Sequence, residues 1–110
     1  MSLKFFYTDY CEDKEISSED AWSRTKEEIL HSMDCVLHMP RNFLGIIDAD
    51  ELTLQFLVND DKSITIDIPQ VERQGSLTKK ANLEECLAIV SLIDGGINIE
   101  SIDGLEFVRW

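Results

Sequence analysis

Three stretches of this chain predict a two-layer α+β domain, a mainly antiparallel β-sheet with two helices packed on one face. The first is Leu52 to Ile68, in which two alternating runs flank a polar link, Asn59-Asp60-Asp61-Lys62-Ser63. Leu52, Leu54, Phe56 and Val58 take the even positions of one run, and Ile64, Ile66 and Ile68 those of the other. A period of two marks half-buried strands. If Val58 faces Ile64, Phe56 faces Ile66 and Leu54 faces Ile68, one antiparallel register buries the whole even row, and a slip by one residue exposes it. The second stretch is the helical stripe after Asn82. The third is Phe43 to Ile47, FLGII, short and apolar on both faces, as a strand near the centre of a sheet is.

In chain order, Leu3 to Thr8 (LKFFYT) reads as a first strand, ended by the acidic link Asp9 to Glu15. Ser17 or Ser18 offers an N-cap hydroxyl, and Glu19 and Asp20 place negative charge where a helix dipole is positive. A helix is expected from about Glu19 to about Met33, with Trp22, Ile29, Leu30 and Met33 as an apolar stripe broken by the polar RTKEE. Pro40 marks the connection into the sheet. Phe43 to Ile47 follows, and the turn Asp48-Ala49-Asp50-Glu51 leads into the hairpin, its length leaving open which face Leu44 and Ile46 take.

Pro69 suits the end of an edge strand. Gln70 to Lys80 reads as a polar excursion, locally basic through Arg73, Lys79 and Lys80 against Glu72. Asn82 then caps a helix, Glu85 stands where a capping box places it, and Leu83, Cys86, Leu87, Val90 and Ile93 form its core stripe. Asp94-Gly95-Gly96 is its expected stop. LEFVRW at the end reads as a last strand. The expected order is therefore strand, helix, three strands, helix, strand, with the strand order in the sheet left open.

The 110 residues fit a single domain spanning 1–110, and 44% apolar with 29% charged residues is an ordinary globular balance. The extreme feature is charge: 10 Lys and Arg against 22 Asp and Glu give a formal net charge of −12. Such a chain repels phosphate backbones and anionic lipid surfaces, so neither nucleic acid nor membrane is an expected partner. A basic protein is the electrostatic complement, and solubility alone is the plainer explanation of the same excess. Cys11, Cys35 and Cys86 are odd in number and form no CxxC pair, which fits a reducing compartment. With no secretory signal and no apolar run near about 20 residues, the expected location is the cytoplasm.

Chemistry-bearing constellations are few. His31, Cys35 and His38 are spaced as ligands on one helical side, but no further pair completes a zinc set and Pro40 follows closely. The same residues lack an orienting third group for a Cys–His nucleophile. Asp48, Asp50 and Glu51 lack the glycine and spacing of a calcium loop, and they read as turn formers, as do Asp60 and Asp61. Phosphate-binding, zincin and hydrolase motifs are missing. The expectation is a protein with no catalysis and no cofactor or metal of its own. A surface remains: the odd-row residues Gln55, Leu57 and Thr65 between the acidic turns Asp48, Asp50, Glu51 and Asp60, Asp61, with Trp110 as a terminal aromatic anchor. These are the candidate partner-binding residues.

The run RNFLGIIDADELTLQFLVNDDKSITIDIP, the polar link after it, the helix NLEECLAIVSLI and the short tail ending in an aromatic residue resemble the small acidic immunity proteins of bacterial polymorphic toxin systems. The likeness is to the first-numbered immunity class, often found beside deaminase-type toxins, and covers Arg41 to Trp110. It rests on the alternation, Gln55 in the second hairpin strand and Glu85 in the last helix. It implies a cytoplasmic inhibitor that binds and neutralises a cognate basic toxin domain, a deaminase or nuclease, and performs no reaction itself. The reading from another class is a small structural or adaptor domain that pairs with itself through an edge strand or the Leu57 face.

Overall fold

The computed structural model describes residues 3–9, 14–16, 22–93 and 96–110, with 22–24 described by backbone alone. The strands and helices are β1 (Leu3–Asp9), β2 (Lys14–Ile16), β3 (Trp22–Arg24), α1 (Lys26–Val36), β4 (Phe43–Ile47), β5 (Thr53–Val58), β6 (Ile64–Gln70), β7 (Gly75–Ala81), α2 (Leu83–Ser91) and β8 (Glu106–Arg109). Short 3-10 turns lie at Val71–Arg73 and Ile99–Ser101. The strands form one antiparallel sheet in the order β2-β1-β4-β5-β6-β7-β8. β3 pairs with Leu3–Phe5 of β1 while β2 pairs with Tyr7–Asp9, so both lie along the outer edge of β1.

The expected hairpin register is present, with Val58 opposite Ile64 and Phe56 opposite Ile66. It buries Leu54, Phe56, Val58, Ile64, Ile66 and Ile68 almost completely on one face. Each such side chain stabilises the fold by about 1.5–3 kcal/mol through removal from water. Phe5, Leu44 and Ile46 extend that face through β1 and β4. Helix α1 covers it with Ile29, Met33 and Val36, and α2 with Cys86 and Val90. The α+β, two-layer architecture with both helices on one face is therefore the observed one. The loop left open by the sequence runs from Asp48 to Leu52, and pairing of Ile46 with Leu54 and Leu44 with Phe56 turns both β4 residues to the core.

Several boundaries differ from expectation, each for a local reason. Helix α1 starts at Lys26, because Thr25 and Glu28 form a capping box: the Glu28 N–H donates to Thr25 Oγ1 and the Thr25 N–H donates back to Glu28 Oε1. The polar RTKEE that seemed to interrupt a stripe is thus the helix start. The caps expected at Ser17 or Ser18, with Glu19 and Asp20, lie outside the described residues, as does the side chain of Trp22.

Gln70 ends β6, Val71–Arg73 is a 3-10 turn, and Gly75 onward is β7, so most of the supposed excursion is a paired strand with a seven-residue register against β6. Pro69 lies inside β6, beyond the last registered β5 partner of that strand, Asp67, so only β7 flanks it at that level. Helix α2 starts as read, Asn82 accepting from the Glu85 N–H, but it ends at Ser91. Its end is met from α1, where Lys26 Nζ donates to the carbonyl of Ser91, the last helical residue, and to that of Ile93 just beyond it. Asp94 and Gly95 of the expected stop lie outside the described residues.

Candidate functional site

Helices cover one face of the sheet, and the residues alternating with the core row point to the other. Opposed pairs share a face, so Phe6, Gly45, Gln55, Asp67, Thr78 and Glu106 form one transverse row across six strands. The next row holds Thr8, Phe43, Leu57, Thr65 and Lys80. Near β1 this face is aromatic and closed: the Phe6 ring lies over Gly45 and meets Phe43 edge-on. From β5 to β8 it opens, with Leu57, Val108 and Trp110 exposed and Gln55 and Thr65 half-buried. Trp110 is held by its indole Nε1, which donates to Ser76 Oγ at 3.0 Å, and by its backbone N–H on the Gln74 carbonyl. It shares the face with Leu57 but stands three strands away, about 14 Å across the sheet, and about 20 Å further along the strand direction, since Leu57 is level with Lys80 and Trp110 with Gln74.

The acidic turns bound this face at opposite ends of β5 and differ in character. Asp48 is buried and fully engaged: Oδ1 accepts the backbone N–H groups of Asp50 and Leu52, and Oδ2 accepts that of Ile97 at 3.0 Å. It braces the loop and the chain after α2, leaving Asp50 and Glu51 as the exposed charges there. Glu51 takes the left-handed conformation, φ 64°.

At the other end Asp60 and Asp61 are both exposed. The Ser63 hydroxyl and backbone N–H donate to Asp61 Oδ1, and these bonds hold the Asp61 carboxyl below its ordinary pKa. Thr65 is tied into the same turn, since Asn59 Nδ2 donates to its Oγ1 at 2.9 Å. Gln55, Leu57 and Thr65 therefore lie together between the two turns as expected, while Asp48 serves the fold.

The basic reversal at Arg73, Lys79 and Lys80 is largely used internally. Arg73 lies 4.0 Å over the Phe107 ring, and Lys79 pairs with Glu85 while donating to the Asp103 carbonyl at 2.7 Å. Glu85 thus binds a lysine and does not reach back to Asn82. Lys80 stays exposed and lines a shallow groove of about 500 Å³ with Thr65, Thr78, Gly104 and Glu106. On α1, Cys35 Sγ stands 3.8 Å from His31 Nε2, and His38 Nε2 is 3.7 Å from Asp34 Oδ1, all on an exposed surface. Among the described residues no three His, Cys, Asp or Glu side chains converge as a metal-ligand set.

No protein-family model, curated protein or solved structure matches the chain. What the site can do is therefore read from its own residues. Asp67 follows from the same alternation as a residue of the odd, polar row, but it is not among the candidate partner-binding residues. Its neighbours Ile66 and Ile68 are fully buried on the core face, which turns Asp67 to the open one between Gln55 and Thr78. Its Oδ1 is out of contact with water and no described residue donates to it. The sequence signal was an acidic residue at the centre of an otherwise uncharged strand, ITIDIPQ.

Proposed function

We propose that this protein is an inhibitor of the immunity type: it binds a cognate basic toxin domain of a bacterial polymorphic toxin system and blocks it sterically, without chemistry of its own, in the cytoplasm. The observation that carries this reading is a sheet with helices on one face only, whose other face exposes Leu57 between turns bearing Asp50, Glu51, Asp60 and Asp61, and Val108 and Trp110 at its β8 edge. Apolar anchors inside a charged rim are the arrangement by which a protein surface selects and orients a partner of opposite charge. The net charge of −12 adds long-range attraction for a basic domain, and toxins that act on nucleic acid carry such surfaces for their substrate. The resemblance of Arg41 to Trp110 to immunity proteins supports the same reading by analogy.

The test is co-expression with the toxin domain encoded beside this chain. Growth should be restored, and the purified pair should hold together at low salt and weaken as ionic strength rises past about 0.1 M, where screening acts within about 10 Å. Undiminished toxicity together with no complex at low salt would end the proposal.

One observation favours a second reading, a self-pairing adaptor: all residues of the edge strand β8 are exposed, Phe107 and Val108 among them. A salt-independent homodimer in sedimentation, abolished by Val108→Pro in the edge strand or, for pairing through the open face, by Leu57→Lys, would select it over the first where protection fails.

A further inference from the structure

We infer that β8 is a self-pairing edge: it joins the β8 of a second copy antiparallel about Val108 and makes one sheet of two molecules. The inference deepens the self-pairing reading and stands apart from the inhibitor reading, because Leu57 and the exposed turn carboxylates lie away from this edge.

The backbone of β8 sets the seam. The Trp110 N–H donates to the Gln74 carbonyl, and that pair continues the register in which Gly75 faces Arg109. In an antiparallel ladder alternate residues turn their backbone groups to the same neighbour. Glu106, Val108 and Trp110 therefore address β7, and Phe107 and Arg109 turn their N–H and carbonyl groups away from it. The Val108 carbonyl lies 2.6 Å from where a Gly75 Cβ would stand, which fits that direction. β8 is the last strand of the sheet and all its residues are exposed, so no described element covers the outward groups. At the opposite margin β1 is flanked by the three-residue strands β2 and β3. Short, interrupted strands blunt an edge. β8 has no proline, and with Trp110 beyond it presents exposed Phe107 and Val108.

The outward groups match a second copy of themselves. An antiparallel pair centred on Val108 sets Phe107 against Arg109 of the second copy, and Arg109 against its Phe107, each exchanging both its N–H and its carbonyl. All the outward groups of the strand are then bonded within its own length, whereas centring on Phe107 would set Arg109 against Leu105, outside β8. Val108 meets its own copy at the two-fold axis on the open face, and Glu106 lies opposite Trp110. Glu106 and Arg109 cancel within each strand, so the seam is neutral in a chain of net charge −12 whose copies repel elsewhere. A strand from a basic partner finds less complement here, since Arg109 and the Arg73 that covers Phe107 already stand at this margin. The contact is isologous and uses up β8 in both copies, so assembly stops at a dimer.

The experiment uses the full chain. Sedimentation should show a dimer that holds as ionic strength rises, because salt screens the repulsion between copies and leaves the backbone bonds in place. Arg109→Pro removes an outward N–H and keeps the bonds to β7, as an edge strand tolerates. It should weaken the dimer about a hundredfold, through one hydrogen bond lost in each copy, with cooperative melting retained, while Arg109→Ala still dimerises. Register is read by disulfide trapping in a chain carrying Cys11→Ser and Cys35→Ser. Val108→Cys should oxidise to a covalent dimer, since the Cα atoms of a non-hydrogen-bonded pair stand about 4.5 Å apart, and Glu106→Cys, set against Trp110, should not.

A parent that sediments as a monomer at millimolar concentration would overturn the inference, and so would a dimer that survives Arg109→Pro or traps as readily through Glu106→Cys. A dimer lost in Leu57→Lys would move the interface to the open face and overturn it too. A monomeric parent whose toxin complex is lost in Arg109→Pro would name a strand of the partner as the occupant instead. Sedimentation and trapping need no toxin, so a dimer that gives no protection leaves the pairing standing, and a monomer that protects removes the pairing alone.

Discussion

Asp48 and Asn42 bracket β4 and show how single buried polar groups position whole segments. Asn42 Nδ2 donates to Asp9 Oδ1 and to the Val36 carbonyl, each at 2.9 Å, joining the end of β1 to the end of α1. Asp48 gathers three backbone N–H groups at the other end of the strand. Asp48→Ala should therefore destabilise the protein by about 3 kcal/mol in urea unfolding, because buried donors lose their acceptor together. Asp48→Asn, which keeps one oxygen, should cost less.

Cys86 is fully buried, and burial pushes its thiol from 9.0 to about 12. A raised pKa in the folded state means that the stabilisation is complete below the unfolded value and is lost as pH rises from about 9 towards about 12. The stability difference between the parent and Cys86→Ala should shrink over that window when both are unfolded in urea. At pH 8, iodoacetamide should modify the exposed Cys35 of the native protein well before Cys86, as read by peptide mass.

The glycine in β4 is decided by its neighbour across the pair. Gly45 is registered against Phe6, and a Cβ there would stand 2.1 Å from the Phe6 ring, so the absence of a side chain is what lets the ring lie across the strand and reach Phe43. Gly45→Ala must push a buried ring aside and should lower stability by about 1–3 kcal/mol, with part of the loss recovered when Phe6→Leu is added. Strand β7 depends on its surroundings in another way. In GSLTKKA only Leu77 is a large apolar residue, and Lys79 occupies an inward position that α2 makes acceptable by supplying Glu85. A strand whose core-facing lysine is neutralised by a later helix carries no alternating signal, which is why it reads as a loop until the helix is in place.

For the molecule as a whole, the opposed pair Phe56 and Ile66 lies at the centre, both fully buried under the helices. Aspartate at either position buries a charge without a partner and removes an apolar contribution of about 1.5–3 kcal/mol, so Phe56→Asp or Ile66→Asp should abolish cooperative thermal unfolding. No helix among the described residues is long and apolar enough to cross a membrane. The negative charge is distributed unevenly: Glu27, Glu84 and Glu100 are exposed on the helical side, while the open face balances Asp67 and Glu106 against Lys4 and Lys80. The turns at the ends of β5 therefore carry the acidic character of this side of the sheet, more than the face itself does.

Local information sufficed for the β5–β6 hairpin, the strands at Phe43 and Leu3, the start of α2 and the two-layer class. In each, the pattern of apolar residues is set by the side of the element that faces the core, and that period is written in consecutive residues. The candidate residues Gln55, Leu57 and Thr65 were legible for the same reason, being the complement of the buried row. The true start of α1 was also present, in the Thr25–Glu28 capping box, but was outweighed by an apolar stripe drawn too far upstream. Assembly alone settled the rest: β7 gains its place from partners on both sides, α2 is capped by a lysine 65 residues upstream of Ser91, and Asp48 becomes a brace only when Ile97 reaches it. Asp67 belongs with these. A carboxylate in a strand is an ordinary polar residue until the sheet closes around one of its oxygens, and that depends on neighbours brought there by the fold.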